Sequence, residues 1–222
     1  MTLEEFSIEF DILYNNISSN QAPGLTEYEK SVFLTQAQEA LVLDLYKGVT
    51  GDSFETTEEV TRYLSSLVVS KDNIKLNTDE IITSGITRYY TSLPEDVMFI
   101  TYQSALYDGN DIIVIPSKQE FLNKDLRNPF RGPSKNRMIY ASEGDKLYYY
   151  IGKNTDYNKY NICIKYLKTP SPIILNPDDG FTINNHPNEK DGNREFTCEL
   201  PESLHRNILT RAVQLAKAVW QS

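Results

Sequence analysis

Few residues in this 222-residue chain combine the type and spacing that chemistry needs. His186 lies in a polar stretch and His205 near the start of the last helical segment, and no cysteine or second histidine stands at metal-ligand spacing from either. His205 reads as an ordinary surface or boundary histidine. Cys163 and Cys198 are too few for a secreted disulfide framework, and read as free thiols of a protein folded in a reducing cytoplasm. Asp108, Asp111 and the Asp178-Asp179 pair offer carboxylates to calcium, but without the ligand order and closing glutamate of a calcium loop, so turn chemistry accounts for them better. The chain has no G-x-S-x-G, no phosphate-binding G-x-x-x-x-G-K-S/T and no G-x-G-x-x-G. A carboxylate pair for glycoside hydrolysis needs no local motif, yet among 31 acids nothing singles one out. No catalytic, cofactor or metal residue is assigned.

Two features point to binding instead. The stretch from Lys124 to Arg137 carries Lys124, Arg127, Arg131, Lys135 and Arg137 against one acid, Asp125, and includes the Pro- and Gly-containing NPFRGPSKN (Asn128 to Asn136). Such a loop either solubilises or docks on an acidic patch of a neighbouring subunit, the acidic helices of the next copy being the candidate. The second feature is 15 tyrosines and 9 phenylalanines, with runs at Tyr89-Tyr90 and Tyr148 to Tyr150. Side chains alternate along a strand, so these runs cannot all face one core, and tyrosine is enriched at interfaces because its ring packs while its hydroxyl stays bonded.

The elements that must position these groups begin with Glu9 to Tyr46, which reads as two amphipathic helices joined by a Pro23-Gly24 turn. TLEE (Thr2 to Glu5) and TEYE (Thr26 to Glu29) are capping boxes. Leu3, Phe6, Phe10, Leu13 and Ile17 form one stripe, and Val32, Phe33, Ala37, Ala40, Leu41 and Leu45 another. Pro201 opens a last helix carrying Leu204, Ile208, Ala212, Leu215, Ala216 and Val219. Phe6, Phe10, Leu13, Phe33, Ala37, Leu41, Ile208 and Ala212 are the expected helical core. Between the ends, TTEE (Thr56 to Glu59) caps a third helix. The period then changes to that of short strands, at Ile74 to Leu76, Ile86 to Tyr90, Val97 to Tyr107, Ile112 to Pro116, Arg137 to Ala141, Lys146 to Gly152, Tyr160 to Lys168 and Phe181 to Asn184. Ser117 caps one or two helical turns in KQEFLNKDL.

The expectation is an α+β protein: an antiparallel helical bundle built from both chain ends (1–70 and 197–222), with an inserted antiparallel β-rich domain (71–196). The length suffices to bury a core without disulfides or metals. The longest apolar runs, such as Val97 to Ile100, are too short to span a bilayer, and the acidic start MTLEEFSIEF has neither signal- nor transit-peptide form. The net charge of −9 is uneven: residues 1–60 carry 12 acids and 2 bases, the remainder 19 acids and 20 bases. An acidic half of this kind is soluble and grips nucleic acid poorly, because phosphate must be met by Lys and Arg.

Glu9 to Glu39 (EFDILYNNI…APGLTEYEKSVFLTQAQE), SLPEDVMFI (Ser92 to Ile100), NPFRGP (Asn128 to Pro133) and CELPESLHRNILTRAVQLAKAVW (Cys198 to Trp220) resemble virion structural proteins of tailed phages of Bacteroidales, notably the crAss-like phages. The resemblance implies a non-enzymatic head–tail connector, a ring or adaptor assembled in the bacterial cytoplasm and retained in the virion. It would bind the portal protein and further tail or ring proteins and self-associate into a ring of about twelve copies that matches the portal. Packaged DNA would pass through without specific binding, and neither a membrane nor a cofactor is involved. The competing readings are a tail-associated glycan- or host-binding module, with exposed tyrosines lining a groove, and a virion-associated glycan hydrolase, which needs carboxylates converging in a cleft.

Overall fold

A computed structural model describes residues 1–17, 24–49, 54–82, 86–134, 136–152, 156–176 and 197–221. Its helices are α1 (Leu3–Ile17), α2 (Glu27–Val49), α3 (Phe54–Leu64), α4 (Gln119–Arg127) and α5 (Glu202–Gln221). Its strands are β1 (Val68–Ile74), β2 (Asn77–Ile82), β3 (Ile86–Ser92), β4 (Val97–Tyr107), β5 (Asn110–Pro116), β6 (Arg137–Glu143), β7 (Lys146–Ile151) and β8 (Tyr160–Lys168). The chain divides into two compact units, Met1–Val68 with Thr169–Ser222, and Val69–Lys168. None of the described helices is long and apolar enough to cross a membrane.

In the first unit both early helices start at reciprocal caps. The Thr2 amide donates to Glu5 Oε2 at 2.8 Å and the Glu5 amide to Thr2 Oγ1 at 3.2 Å; Thr26 and Glu29 repeat the pattern at 2.8 and 3.3 Å. These bonds to Thr26 hold the Glu29 carboxyl below its ordinary pKa. The third expected cap does not mark a helix start: α3 begins at Phe54, two residues before Thr56, and Glu59 accepts from the Tyr63 hydroxyl at 2.6 Å. From α1, Phe6, Phe10 and Tyr14 are buried at four-residue spacing, and Ile208, Leu209, Ala212, Val213 and Ala216 are buried from α5.

The buried face of α2 is not the apolar one its spacing predicts. Lys30, Ser31, Leu34, Thr35, Ala37, Gln38 and Val42 are buried, whereas Val32, Phe33, Ala40, Leu41 and Leu45 are only partly so. Ser31, Thr35 and Gln38 stand one above another on the helix and face an extended segment of chain. Ser31 Oγ accepts from the Leu175 amide at 3.0 Å, Thr35 Oγ1 from the Ile173 amide at 3.1 Å, and Gln38 Nε2 donates to the Ser171 carbonyl at 2.7 Å. A chain in extended form has backbone groups to satisfy; a polar helical stripe satisfies them where an apolar one leaves them orphaned.

In the second unit the sheet order is β1-β8-β4-β5-β6-β7-β3-β2. The β4–β5 hairpin turns at Asp108-Gly109, both at positive φ (52° and 83°), the pair a two-residue hairpin requires. β5 and β6 are parallel, with Ile113 opposite Arg137 and Pro116 opposite Tyr140. Parallel neighbours need a crossover, and α4 supplies it. One core gathers Leu76, Tyr89, Ala105, Ile112, Met138, Leu147, Tyr149, Tyr160, Ile162 and Tyr166, with Val69 and Ile74 of β1 against them, so the sheet curls around its inner face. On its outer face Leu122 and Leu126 of α4 cover Ile139, Ala141 and Tyr150.

The structure therefore corrects the fold expected from sequence. It is a mixed α+β protein with an eight-stranded curled sheet and five helices among the described residues, and the chain ends do not make an antiparallel helical bundle. Two physical reasons stand out. The partner of α2's buried stripe is in part an extended segment, and the sheet is not wholly antiparallel because β5 returns to β6 through a helix.

Candidate assembly surface

The connection from α4 to β6 is fixed by its own backbone. Asn128 Oδ1 accepts from the amides of Phe130 (2.9 Å) and Arg131 (3.1 Å), and its carbonyl accepts from the Gly132 amide at 2.7 Å. An asparagine side chain that mimics a turn in this way pins the residues after it. A Cβ on Gly132 would stand 2.6 Å from the Asn128 carbonyl oxygen, so only glycine fits. The Arg137 guanidinium donates to the Phe130 carbonyl, and Ser134 and Arg137 exchange backbone bonds at 2.9 and 3.2 Å. Ser117, expected to cap α4, instead donates from Oγ to Asp125 Oδ2 at 2.7 Å. What this scaffold presents is Phe130, 85% exposed, with exposed Arg127 and Arg131 beside it in the chain.

Of the five bases expected to dock, Lys124, Arg127 and Arg131 are exposed. Arg137 is half-buried and holds the loop, and Lys135 lies outside the described residues. Of the expected helical core, Phe6, Phe10, Ala37, Ile208 and Ala212 are buried, while Leu13, Phe33 and Leu41 are partly exposed.

The tyrosine runs divide between the two sheet faces. Tyr89 and Tyr149 lie opposite each other and point into the core, where the Tyr149 hydroxyl donates to Gln103 Oε1 at 3.0 Å. Burial, with Tyr140 close by, pushes the Tyr149 pKa far up. Tyr166 is likewise pushed up to about 12 by burial, then by Asp96, to which its hydroxyl donates at 3.2 Å. Tyr90 and Tyr148 face outward with ring centroids 6.3 Å apart; Lys146 Nζ lies 4.8 Å from the Tyr90 centroid and the Arg88 guanidinium 4.9 Å from that of Tyr148. That row of cation, ring, ring and cation satisfies itself. Tyr102, with Leu106 and Ile113, is exposed on the outer face.

The acidic helical unit has its own exposed apolar stripe. Ile8 and Ile12, one turn apart on α1, are each 53% exposed, with exposed Glu4 and Glu5 in the turn before them. Neither isoleucine belongs to the apolar stripe that the spacing predicts, and the charges around Phe130 are the stronger signal in its loop. The only cue to Phe130 is an aromatic set in a Pro/Gly/Asn loop.

His205 is buried, not a boundary residue: its Nε2 meets the Leu200 carbonyl at 2.9 Å, its Nδ1 the Met1 amino group at 3.0 Å, and its ring lies 5.3 Å from that of Phe6. Burial pushes the Cys198 thiol up to about 11. Asp108 stays in its turn, 3.6 Å from Lys159 Nζ. His186 and the Asp178-Asp179 pair lie outside the described residues. Among the described residues no group of three or more His, Cys, Asp or Glu could hold a metal ion. Glu58, Glu59, Arg62, Tyr63, Pro201 and Ser203 line an open groove, in which the Tyr63 hydroxyl donates to Glu59 Oε1 at 2.6 Å.

Comparison with known proteins gives the context for these surfaces. The family model described as phage tail ring protein 3/4 matches residues 1–222. Ring protein 3 of Bacteroides phage crAss001 is 40% identical over 228 residues, covering 97% of this chain and 95% of that protein. Ring protein 4/5 of the same phage is 31% identical over 232 residues, covering 100% of this chain and 94% of that protein.

Proposed function

The chain belongs to the phage tail ring protein 3/4 family, and from that premise we propose that it is a ring-forming connector of the virion, seated below the portal, where it extends the DNA channel and gives the tail its seat. Its action is binding, without catalysis. The observation that carries this reading is the match to ring proteins along the whole chain. The described surfaces agree with it. One unit carries a pinned loop with an exposed aromatic and exposed arginines. The other holds residues 1–60, with 12 acids to 2 bases. Unlike surfaces on one chain suit the head-to-tail contacts by which identical subunits close a ring. An acidic surface along a channel repels phosphate, so DNA would slide past it without being held. The ring is proposed to have about twelve copies, the number that makes contacts with a portal of that symmetry equivalent.

Co-expression with the portal protein and the neighbouring tail proteins of the same phage tests the assignment. Affinity capture of the portal is expected to retain this chain, and electron micrographs of the complex to show a ring stacked on the portal. Capture by tail proteins but never by the portal would move the ring away from the head. Capture by neither, with no ring in the micrographs, would overturn the reading.

A further inference from the structure

We propose that Phe130 seats on the Ile8–Ile12 stripe of a second copy of this chain, with Arg127 and Arg131 meeting Glu4 and Glu5 of that copy. This contact rests on the ring reading above and specifies how one subunit holds the next. A phenylalanine 85% exposed leaves nearly its whole ring in water, a cost that association removes. Its loop is already ordered, by the Asn128 turn, the close approach at Gly132 and the Arg137 bond to the Phe130 carbonyl. Binding through it therefore loses little conformational entropy. An aromatic anchor beside arginines has the composition of an interface hot spot.

The chemistry such an anchor needs is an apolar seat rimmed by acids, and α1 presents one. Ile8 and Ile12 stand on one side of the helix at four-residue spacing, and Glu4 and Glu5 precede Ile8 by four and three residues, on the same side. The adjoining Asp11 is engaged by Lys30 at 2.7 Å, so the charge left to a partner is that of the glutamates. A second bare apolar face among the described residues, Tyr102 with Leu106 and Ile113, carries both signs, with Lys165 5.9 Å from the Tyr102 ring and exposed Asp111 opposite Leu106, so it offers Arg127 and Arg131 no pair of acids. Loop and seat are different surfaces of the same chain, so the contact is heterologous. Each copy offers a loop to one neighbour and a seat to the other, and the series ends only when the ring closes.

The test is the full-length double variant Phe130→Cys/Ile12→Cys, assembled with the co-expressed portal and tail proteins and then mildly oxidised. The expected result is a ladder of covalent multimers of this chain, with a disulfide between positions 130 and 12 identified by mass spectrometry. Its yield should exceed by ~10-fold or more that of Ile113→Cys/Ile12→Cys, in which another exposed apolar residue of the sheet unit replaces the anchor; that is the order of enrichment an organised contact gives through effective concentration. Each single variant should remain uncross-linked. A ladder no stronger than the control, or dimers from a single variant alone, would overturn the proposed seat. Micrographs of the unoxidised assemblies separate the two levels: rings without the 130–12 disulfide refute the seat and leave the ring reading intact, whereas neither rings nor disulfide refutes both.

Discussion

Lys30 Nζ lies 2.7 Å from Asp11 Oδ2, so a lysine only 3% exposed ties the first turn of α2 to the middle of α1. Glu27 Oε1 at 3.1 Å and Ser7 Oγ at 3.2 Å complete its shell. Burial works against the ammonium, but the bonds from Asp11 and Glu27 outweigh it, and the Lys30 pKa lies above the ordinary 10.5. Replacing Lys30 with methionine keeps the stem and removes the charge. Both carboxylates are about half exposed and can return to water, so the expected loss is about 1–2 kcal/mol, below the ~3–5 of a fully enclosed pair. Urea unfolding of the full chain at pH 7.5 measures it. Because the folded pKa is the higher one, this contribution is complete below pH 10.5 and fades above it.

Thr35→Val deletes the hydroxyl that accepts from the Ile173 amide while keeping the side-chain shape. The amide is buried and has no water to turn to, so the expected cost is about 1–3 kcal/mol. Thr35→Ser, which keeps the oxygen, should cost less. Hydrogen exchange at Ile173 is the direct readout: protection should fall in Thr35→Val and persist in Thr35→Ser. Unchanged protection in the valine variant would mean that Thr35 does not hold the segment.

These two sites also explain how far the sequence could be read. The caps at Thr2 and Thr26 are local, each a hydroxyl and a carboxylate three residues apart, and both are found at their bonds. Strand β4 was legible from VMFITYQSALY for the same reason. The buried face of α2 was not, because Ser31, Thr35 and Gln38 look like solvent residues until the segment at Ser171 to Leu175 is laid against them, more than 130 positions later in the chain. The parallel β5–β6 pair was hidden because strand pairing is non-local and α4 is only nine residues long. Of the candidate surface, the charges of Arg127 and Arg131 were visible. The exposure of Phe130 follows from hydrogen bonds that composition does not encode.

Tyr149 and Tyr166 make the sheet unit sensitive to alkali. Both hydroxyls hold their protons above the ordinary tyrosine value of 10.0, Tyr166 to about 12. An acid with a raised folded pKa contributes stability in full below its unfolded pKa and loses it as the pH climbs towards the folded one. Unfolding free energy should therefore decline between pH 10 and 12. In Tyr166→Phe the decline should be shallower, after a loss at neutral pH of about 0.5–1.5 kcal/mol for the bond to Asp96. Urea midpoints at several pH values in that window decide it; parallel curves for the two proteins would rule Tyr166 out as a contributor.

Gly132→Ala places a methyl 2.6 Å from the Asn128 carbonyl oxygen, and backbone cannot step aside as a side chain can. The Asn128 turn should open, at a cost of about 1–3 kcal/mol, and Phe130 should lose its fixed presentation. Exchange of the Phe130, Arg131 and Gly132 amides should rise while the core strands keep theirs. Ring assembly should weaken even at temperatures where the variant stays folded, which separates presentation from stability.

Charge reversal gives the last test of the loop. Arg127 and Arg131 are exposed, so Arg127→Glu/Arg131→Glu should leave the thermal midpoint near that of the unaltered chain, as surface changes usually do within about 0.5 kcal/mol. Facing the acidic segment, the reversed loop would meet like charge, and ring yield should drop by ~10-fold or more, the scale at which like-charge juxtaposition acts across an interface. Adding Glu4→Lys to the reversed chain should recover part of that yield, because it restores opposite signs at one of the two proposed pairs. Recovery should weaken as salt is raised, since exposed charges are screened over roughly 10 Å at 0.1 M. Full assembly of the reversed chain at low salt would remove the loop from the interface, and a loss of assembly that Glu4→Lys does nothing to repair would send Arg127 and Arg131 to a partner other than α1.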